Sequence, residues 1–296
     1  MLALVIGRSG QVATALARLG QAAGHDVRCL GRGEIDILNR GDVAAVVRQF
    51  NPDAIVNGAA YTAVDKAESD RNAAFDLNMR APQLLAGVAA DQAVPFIHMS
   101  TDYVFDGTKP APYDPGDPVC PINIYGESKA AGEAAVRAAN PSAVIIRTSW
   151  VYSETGVNFV KRMLELGAER DELRIVDDQI GNPTFADDIA QACFAIASHD
   201  DMRQGATGGI YHAAGRGDVT WHGFARAIFD EAGKRGARVP THVIPITTDQ
   251  YPTQARRPKN SRLDCTSAEA TFDIILKPWQ NGLKTCINRL LAGGKP

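Results

Sequence analysis

Tyr125-Gly-Glu-Ser-Lys129 sets a phenol and a primary amine four residues apart. In a helix that spacing brings both onto one face. An ammonium beside a phenol favours the phenolate and lowers the tyrosine pKa from about 10. Such a tyrosine can pass a proton to a carbonyl oxygen as hydride reaches the carbonyl carbon. A bare Tyr-x-x-x-Lys is common, and its plain reading is a surface pair. Two further features add weight. Met99-Ser100-Thr101-Asp102-Tyr103 ends an apolar run, and a hydroxyl at the C-terminal end of a strand belongs at the ligand crevice of an open parallel sheet. At the N-terminus, apolar Leu2–Ile6 runs into Gly7-Arg8-Ser9-Gly10-Gln11-Val12-Ala13. A glycine turn between strand and helix lets backbone approach a pyrophosphate, which the helix N-terminus receives with free N–H groups and positive dipole. Hydroxyl, phenol and amine behind such a turn are far more specific together than any one alone.

The end of the second strand should face the adenosine ribose, and the sequence there is Leu30-Gly31-Arg32-Gly33. An acidic residue suits the 2′-hydroxyl of NAD and an arginine the 2′-phosphate of NADP, so Arg32 points towards NADPH, with NADH the alternative. Asp36 stands close by, on the adenine side.

Short apolar strands must position these groups. Leu2–Ile6, Val27–Leu30, Ala54–Asn57, Pro95–Met99 and Ala143–Arg147 alternate with helical stretches at Ala13–Ala23, Asp42–Phe50, Ala73–Ala90 and Tyr125–Ala139. Pro82 is expected to kink the third helix or mark a first turn. That rhythm predicts an α/β fold with a doubly wound parallel sheet of Rossmann type. After Trp150 it changes. Phe159–Ala168 reads as helix and Leu173–Val176 as strand, while Asp187–Ala197 and Gly209–Ala213 look like another αβ unit. Residues 214–296 read as two or three helices joined by long loops. The expected division is a dinucleotide-binding domain of 1–148 plus about 187–214, and a smaller C-terminal α/β substrate-binding lobe of about 149–186 and 215–296.

Composition narrows the functional classes. The 296 residues can bury a large core without disulfides or a structural metal. With 31 Lys+Arg against 34 Asp+Glu, the chain lacks the basic excess of a nucleic-acid binder. No apolar run approaches the ~20 residues of a membrane span. Five dispersed cysteines without a CxxC pair read as free thiols in a reducing cytoplasm. Six histidines form no HxxxH pair, so no metal site is expected.

The glycine turn, the strand-end hydroxyl and YxxxK resemble the short-chain dehydrogenase/reductase superfamily, extended type. Within it, IVNGAAYTAVDKAE (55–68), STDYVFDG (100–107), YGESKAAGE (125–133), RTSWVY (147–152), DDQIGNPT (177–184), TWHGFA (220–225) and RRPKNSRLD (256–264) resemble the dTDP-4-dehydrorhamnose reductase family over nearly the whole chain. The resemblance implies NAD(P)H-dependent reduction of the C4 ketone of a dTDP-sugar, for rhamnose-containing cell-surface polysaccharide. It implies a soluble monomer or homodimer. Thr101, Tyr125 and Lys129 match the catalytic set, with Tyr125 as proton donor and Lys129 on the nicotinamide-ribose hydroxyls. Gly10, Gln11 and Val12 match the pyrophosphate turn, Asp36 and Ile37 the adenine side, and Ala60, Tyr61 and Thr62 the nicotinamide side. Thr101, Asp102 and Trp150 match deoxysugar contacts. Ala13 replaces the family's usual third glycine. Some members bind Mg²⁺ through glutamates at a dimer contact, but the matching position here is Ala15, so no metal is expected. Other enzymes of the superfamily, nucleotide-sugar epimerases and dehydratases, share these motifs. So does a non-catalytic relative, the regulatory subunit of methionine adenosyltransferase.

Weaker candidates remain. Arg256, Arg257, Lys259 and Arg262 suit a diphosphate, or form a solvated basic loop. Gln179 and Thr184 are placed for the thymine by loop position alone. His98 reads as a packed core histidine and Trp221-His222 as helix packing. Asp65, Lys66 and Glu68 read either as a local ion pair or as part of the site's wall.

Overall fold

A computed structural model describes residues 1–292. The first half alternates as expected: β1 (Leu2–Ile6), α1 (Gln11–Ala22), β2 (Asp26–Leu30), α2 (Arg40–Phe50) and β3 (Ala54–Asn57). Two short helices follow, α3 (Val64–Ala67) and α4 (Arg71–Phe75), then α5 (Ala81–Asp91), β4 (Phe96–Thr101), α6 (Ile124–Ala139) and β5 (Val144–Thr148). The second half holds β6 (Val151–Tyr152), α7 (Phe159–Glu169), β7 (Glu172–Val176), β8 (Ile180–Gly181), β9 (Thr184–Phe185), α8 (Ala186–Ser198), α9 (Asp200–Arg203) and β10 (Gly209–His212). It closes with β11 (Val219–Thr220), α10 (Trp221–Gly233), β12 (His242–Ile246), β13 (Asn260–Ser261), α11 (Thr266–Phe272) and α12 (Trp279–Ala292).

Six strands form one parallel sheet in the order β2-β1-β3-β4-β5-β10. Alternation of side chains along each strand feeds two cores. Val5 and Val56 pack on one face with Leu16 of α1 and Ile189 and Ile196 of α8. Leu4, Ile6 and Ile55 pack on the other with Val43 and Val47 of α2, Leu85 of α5 and Val136 of α6. The strand order reverses between β1 and β3, which opens a crevice beyond their C-terminal ends. The predicted αβ unit around 187–213 is present, with β10 joining the sheet beside β5.

A separate cluster gathers Met163 of α7, Phe224 and Ile228 of α10, and Trp279 and Leu283 of α12. Small sheets surround it: β12 beside β7, β8 between β11 and β13, and β6 beside β9. Among the described residues three α-helices follow residue 214, at the upper end of the expected number. Strand β12 went unread because Pro245 interrupts its pattern, and it survives as one side of a two-stranded sheet where one lost donor is tolerated.

The single helix expected over Ala73–Ala90 is interrupted. A π-turn, Asp76–Arg80, joins α4 to α5, and Pro82 lies in the first turn of α5. The wider turn absorbs the carbonyl clash and missing N–H that proline imposes on a continuous helix. Among the described residues no helix is long and apolar enough to cross a membrane.

Candidate active site

Strand β4 ends by delivering Thr101 and Asp102. The Thr101 hydroxyl accepts the Tyr103 N–H at 3.3 Å and so caps a single 3-10 turn, Asp102–Val104. Helix α6 begins opposite, fixed from three sides. Asn123 caps it by accepting the Gly126 N–H at 2.7 Å, and its amide donates to the Arg256 carbonyl at 2.8 Å. Glu68 accepts the Ile124 N–H at 2.9 Å. Gly126 is required here: a Cβ would stand 2.2 Å from the Tyr103 carbonyl oxygen. The close approach brings Tyr125 edge-on to Tyr103, ring centres 5.4 Å apart.

One turn later Lys129 is 2% exposed, and its ammonium donates to the Met99 carbonyl at 2.6 Å. Burial pulls its pKa down to about 8, against the pull of Glu133. Burial also raises the Tyr125 phenol, with Asp102 and Tyr103 adding to the rise and the Thr101 hydroxyl opposing it. This corrects the expected lowering by Lys129. The amine is directed to Met99, and desolvation of the phenol dominates. Asp102 is pushed up to about 6 by burial, against hydrogen bonds to its carboxylate. Its Oδ1 accepts the Thr101 hydroxyl at 2.9 Å, while its buried Oδ2 has no partner.

A buried ion pair supports this wall. Arg147 of β5 donates to both oxygens of Glu133 at 2.8 and 2.6 Å, and the Ser100 hydroxyl donates to Glu133 at 2.5 Å. Sequence reading missed it, although an arginine inside an apolar strand was the available signal.

At the glycine turn, Gly7 has φ +114° and packs on the β3 loop, where a Cβ would lie 3.2 Å from the Ala59 nitrogen. Gly10 precedes α1 in extended conformation without a side-chain cap, and a Cβ there would meet nothing within 4 Å. Packing therefore leaves the backbone accessible at the start of α1, beside Val12. The Gln11 side chain turns away, accepting from Ser153 at 3.0 Å and Asn158 at 3.1 Å. At the end of β2, Arg8 pairs with Glu34 at 2.8 Å, and Glu34 accepts the Gly31 N–H at 2.9 Å. Arg32 is exposed beside them. Arg8 and Glu34 were missed, the first hidden among the variable positions of the glycine motif. Asp36 is exposed and accepts the Leu38 N–H at 3.0 Å; Ile37 packs on the α2–α5 core.

Ala60, Tyr61 and Thr62 follow β3. Asn78 of the π-turn holds that loop: it accepts the Tyr61 N–H at 2.8 Å and donates to the Tyr61 carbonyl at 3.1 Å and to Ser128 of α6 at 2.9 Å. Trp150 has φ +48° and stacks on Trp221, ring centres 3.5 Å apart. Trp221 is thus backing for a candidate sugar contact as well as helix packing.

Three of the four loop cations are engaged. Arg257 pairs with Asp65 at 2.5 Å and donates to the Tyr103 hydroxyl at 3.2 Å; Lys259 pairs with Asp178, and Arg262 with Asp218. Asp65 therefore serves the wall of the site rather than a local pair with Lys66. Thr184 is fully buried and bonded to the Asn182 carbonyl and the Gly215 N–H, which removes it from any thymine contact. Gln179 is buried and donates to Thr248 at 3.1 Å. All five cysteines are free.

The family model described as RmlD substrate binding domain matches residues 1–292. The chain belongs to this family. A dTDP-4-dehydrorhamnose reductase of Sinorhizobium fredii is 46% identical over 98% of each chain, and one of Escherichia coli K12 is 40% identical over 98% of each. The solved dTDP-4-dehydrorhamnose reductase of Clostridium acetobutylicum superposes with TM-score 0.90 at 35% identity, covering 98% of this chain and 100% of that one. The Bacillus anthracis enzyme, solved in complex with NADP, gives TM-score 0.88 at 32% identity over 97% and 99%. In this member of the RmlD family, the match runs through both the parallel sheet and the C-terminal cluster.

Proposed function

We propose that the chain reduces the C4 ketone of dTDP-4-dehydro-L-rhamnose to dTDP-L-rhamnose with NADPH. The observation that carries the reading is the gathering of Thr101, Tyr125 and Lys129 around the end of β4, at the same C-terminal end of the sheet as the open glycine turn. Family membership and the NADP complex of the B. anthracis relative support it.

The residues fit a dinucleotide. Open space over Gly10 and the uncapped start of α1 suit a pyrophosphate. Arg8 and Arg32 suit a 2′-phosphate. Bound there, NADPH supplies the hydride. The remaining steps belong to the chain. Burial keeps Tyr125 protonated at neutral pH, so it enters as an acid. It donates to O4 as negative charge builds there, and Thr101 steadies the phenolate. Asp102 and Trp150 hold the deoxysugar, and Lys129, one turn along α6, leaves the Met99 carbonyl to supply the proton that restores the phenol. In this reading 1–148 plus about 187–214 bind the dinucleotide, and about 149–186 with 215–296 bind the sugar nucleotide. The enzyme works in the cytoplasm.

The test is loss of reduced-nicotinamide absorbance with dTDP-4-dehydro-L-rhamnose made in situ, using NADPH and NADH separately. Consumption dependent on both sugar and protein is expected, faster with NADPH. Arg32→Ala should narrow that preference by up to about tenfold, a ~1.4 kcal/mol effect. No consumption with either cofactor, despite confirmed substrate, overturns the reading in favour of a redox-neutral sugar-nucleotide enzyme or a regulatory subunit.

A further inference from the structure

Behind Lys129 lies a buried pair whose hydrogen-bond polarity is fixed. Asn57 ends β3, and His98 is fully buried in β4. Asn57 Oδ1 accepts the Ala59 N–H at 3.2 Å, so its Nδ2 faces His98 Nδ1 at 3.0 Å. An amide NH₂ only donates. Nδ1 is therefore the acceptor, and the proton of a neutral ring sits on Nε2. Burial holds the ring neutral, and the neighbouring Lys129 charge acts the same way. Nε2 lies 3.5 Å from Lys129 Nζ. Against an ammonium, that N–H sets donor against donor; against a neutral amine it meets a lone pair. The bond from Lys129 to the Met99 carbonyl is open to either form.

We propose that Asn57 and His98 are positioning residues for Lys129, presenting an Nε2–H that favours the neutral amine. The inference rests on the proton-side role proposed for Lys129. The amine is the form left once that lysine has given up a proton, so the pair eases that loss. The direction of the chain is set at Ala59, next to the loop assigned to the nicotinamide side.

Other charges around α6 are accounted for. Glu133, one turn beyond Lys129, favours the ammonium but is bound by Arg147 of β5. Asp102 and Tyr103, at the end of β4, act on Tyr125. Arg71 of α4 pairs with Glu127, and Asp76 with Arg80 of the π-turn, at the surface.

The test begins without turnover. Long-range ¹H–¹⁵N spectra of histidine-labelled wild-type protein, with His98 assigned by its loss in His98→Gln, should show a pyridine-like Nδ1 and a protonated Nε2. A ring protonated on Nδ1, or an imidazolium at neutral pH, overturns the proposal. Next, the Lys129 Cε resonance is titrated in wild type, His98→Gln and Asn57→Asp. A carboxylate at 57 accepts from Nδ1 and turns a bare Nε2 towards the lysine, while glutamine at 98 can turn its carbonyl there. Both should move the Lys129 midpoint up by about one pH unit. An unmoved midpoint in a folded variant means the pair is merely structural. If His98→Gln does not fold, His98 is assigned in wild type by replacing the other five histidines in turn, and a ring protonated on Nδ1 or an imidazolium there still overturns the proposal. None of these readouts depends on the reductase assay, so the two readings fail separately.

Discussion

The glycine turn after β1 and the Thr101–Tyr125–Lys129 cluster share the C-terminal end of one sheet, yet they are built in opposite ways. The turn offers backbone: Gly10 is uncapped and has open space above it. The cluster is sealed, with Lys129 bonded to Met99 and Asp102 2% exposed. In the proposed function the turn receives a large anion, and it is left unsaturated because that ligand would complete its hydrogen bonds. The cluster proposed to handle one proton excludes water, and burial sets which form each group takes.

The sharpest way to break the comparison is at the phenol. Tyr125→Phe should cut kcat by about 10²–10⁴-fold while leaving NADPH affinity, read by fluorescence titration, within a few-fold. A matching loss of affinity would mean the two regions are not separable. Next comes the support behind the sealed side. Glu133→Leu strands a buried Arg147 and should cost about 3–5 kcal/mol in urea unfolding; a cost under about 1 kcal/mol would show that water reaches that wall.

Asp102 gives a pH signature. Its carboxyl is raised from 3.8 to about 6, so between those values the folded state holds a proton that the unfolded chain has lost. Stability therefore falls as pH rises through that window, by up to roughly 3 kcal/mol. Asp102→Asn should flatten that part of the stability curve; an unchanged curve would mean the carboxyl is solvated. The smallest effect belongs to the open turn. Gly10→Ala should leave the melting temperature within a degree or two, since its Cβ meets nothing. It should weaken NADPH binding about tenfold, and unchanged affinity would place the pyrophosphate elsewhere.

The same contrast explains what the sequence made legible. The glycine turn is local, so spacing alone sets Gly7 and Gly10 between β1 and α1, and strand periodicity yields the parallel sheet. The sealed cluster depends on groups far apart in the chain. Nothing in Tyr125–Lys129 says that the amine turns to Met99 rather than the phenol, or that burial outweighs its charge. Asn78 holding the Tyr61 loop and Arg257 reaching Asp65 are equally non-local. Thr184 was misjudged because a loop position does not disclose which side chains lie beneath the surface; Trp221 packs as its helix predicted, and only its stack on Trp150 went unread. Pro82 was readable as a disturbance, but not as a π-turn, whose extra residue carries no compositional mark.

The tryptophans draw an optical boundary across the molecule. Trp150, Trp221 and Trp279 all belong to the C-terminal cluster, and the strands β1 to β5 contain none. Tryptophan-selective fluorescence therefore reports the C-terminal cluster alone, whereas far-ultraviolet dichroism reports every helix. Followed together during unfolding, two coincident curves would mark one cooperative unit. An earlier fluorescence transition would show the lobe melting away from an intact sheet. In the folded protein, the stacked Trp150–Trp221 pair should act as a built-in reporter of sugar arrival if Trp150 makes the proposed deoxysugar contact.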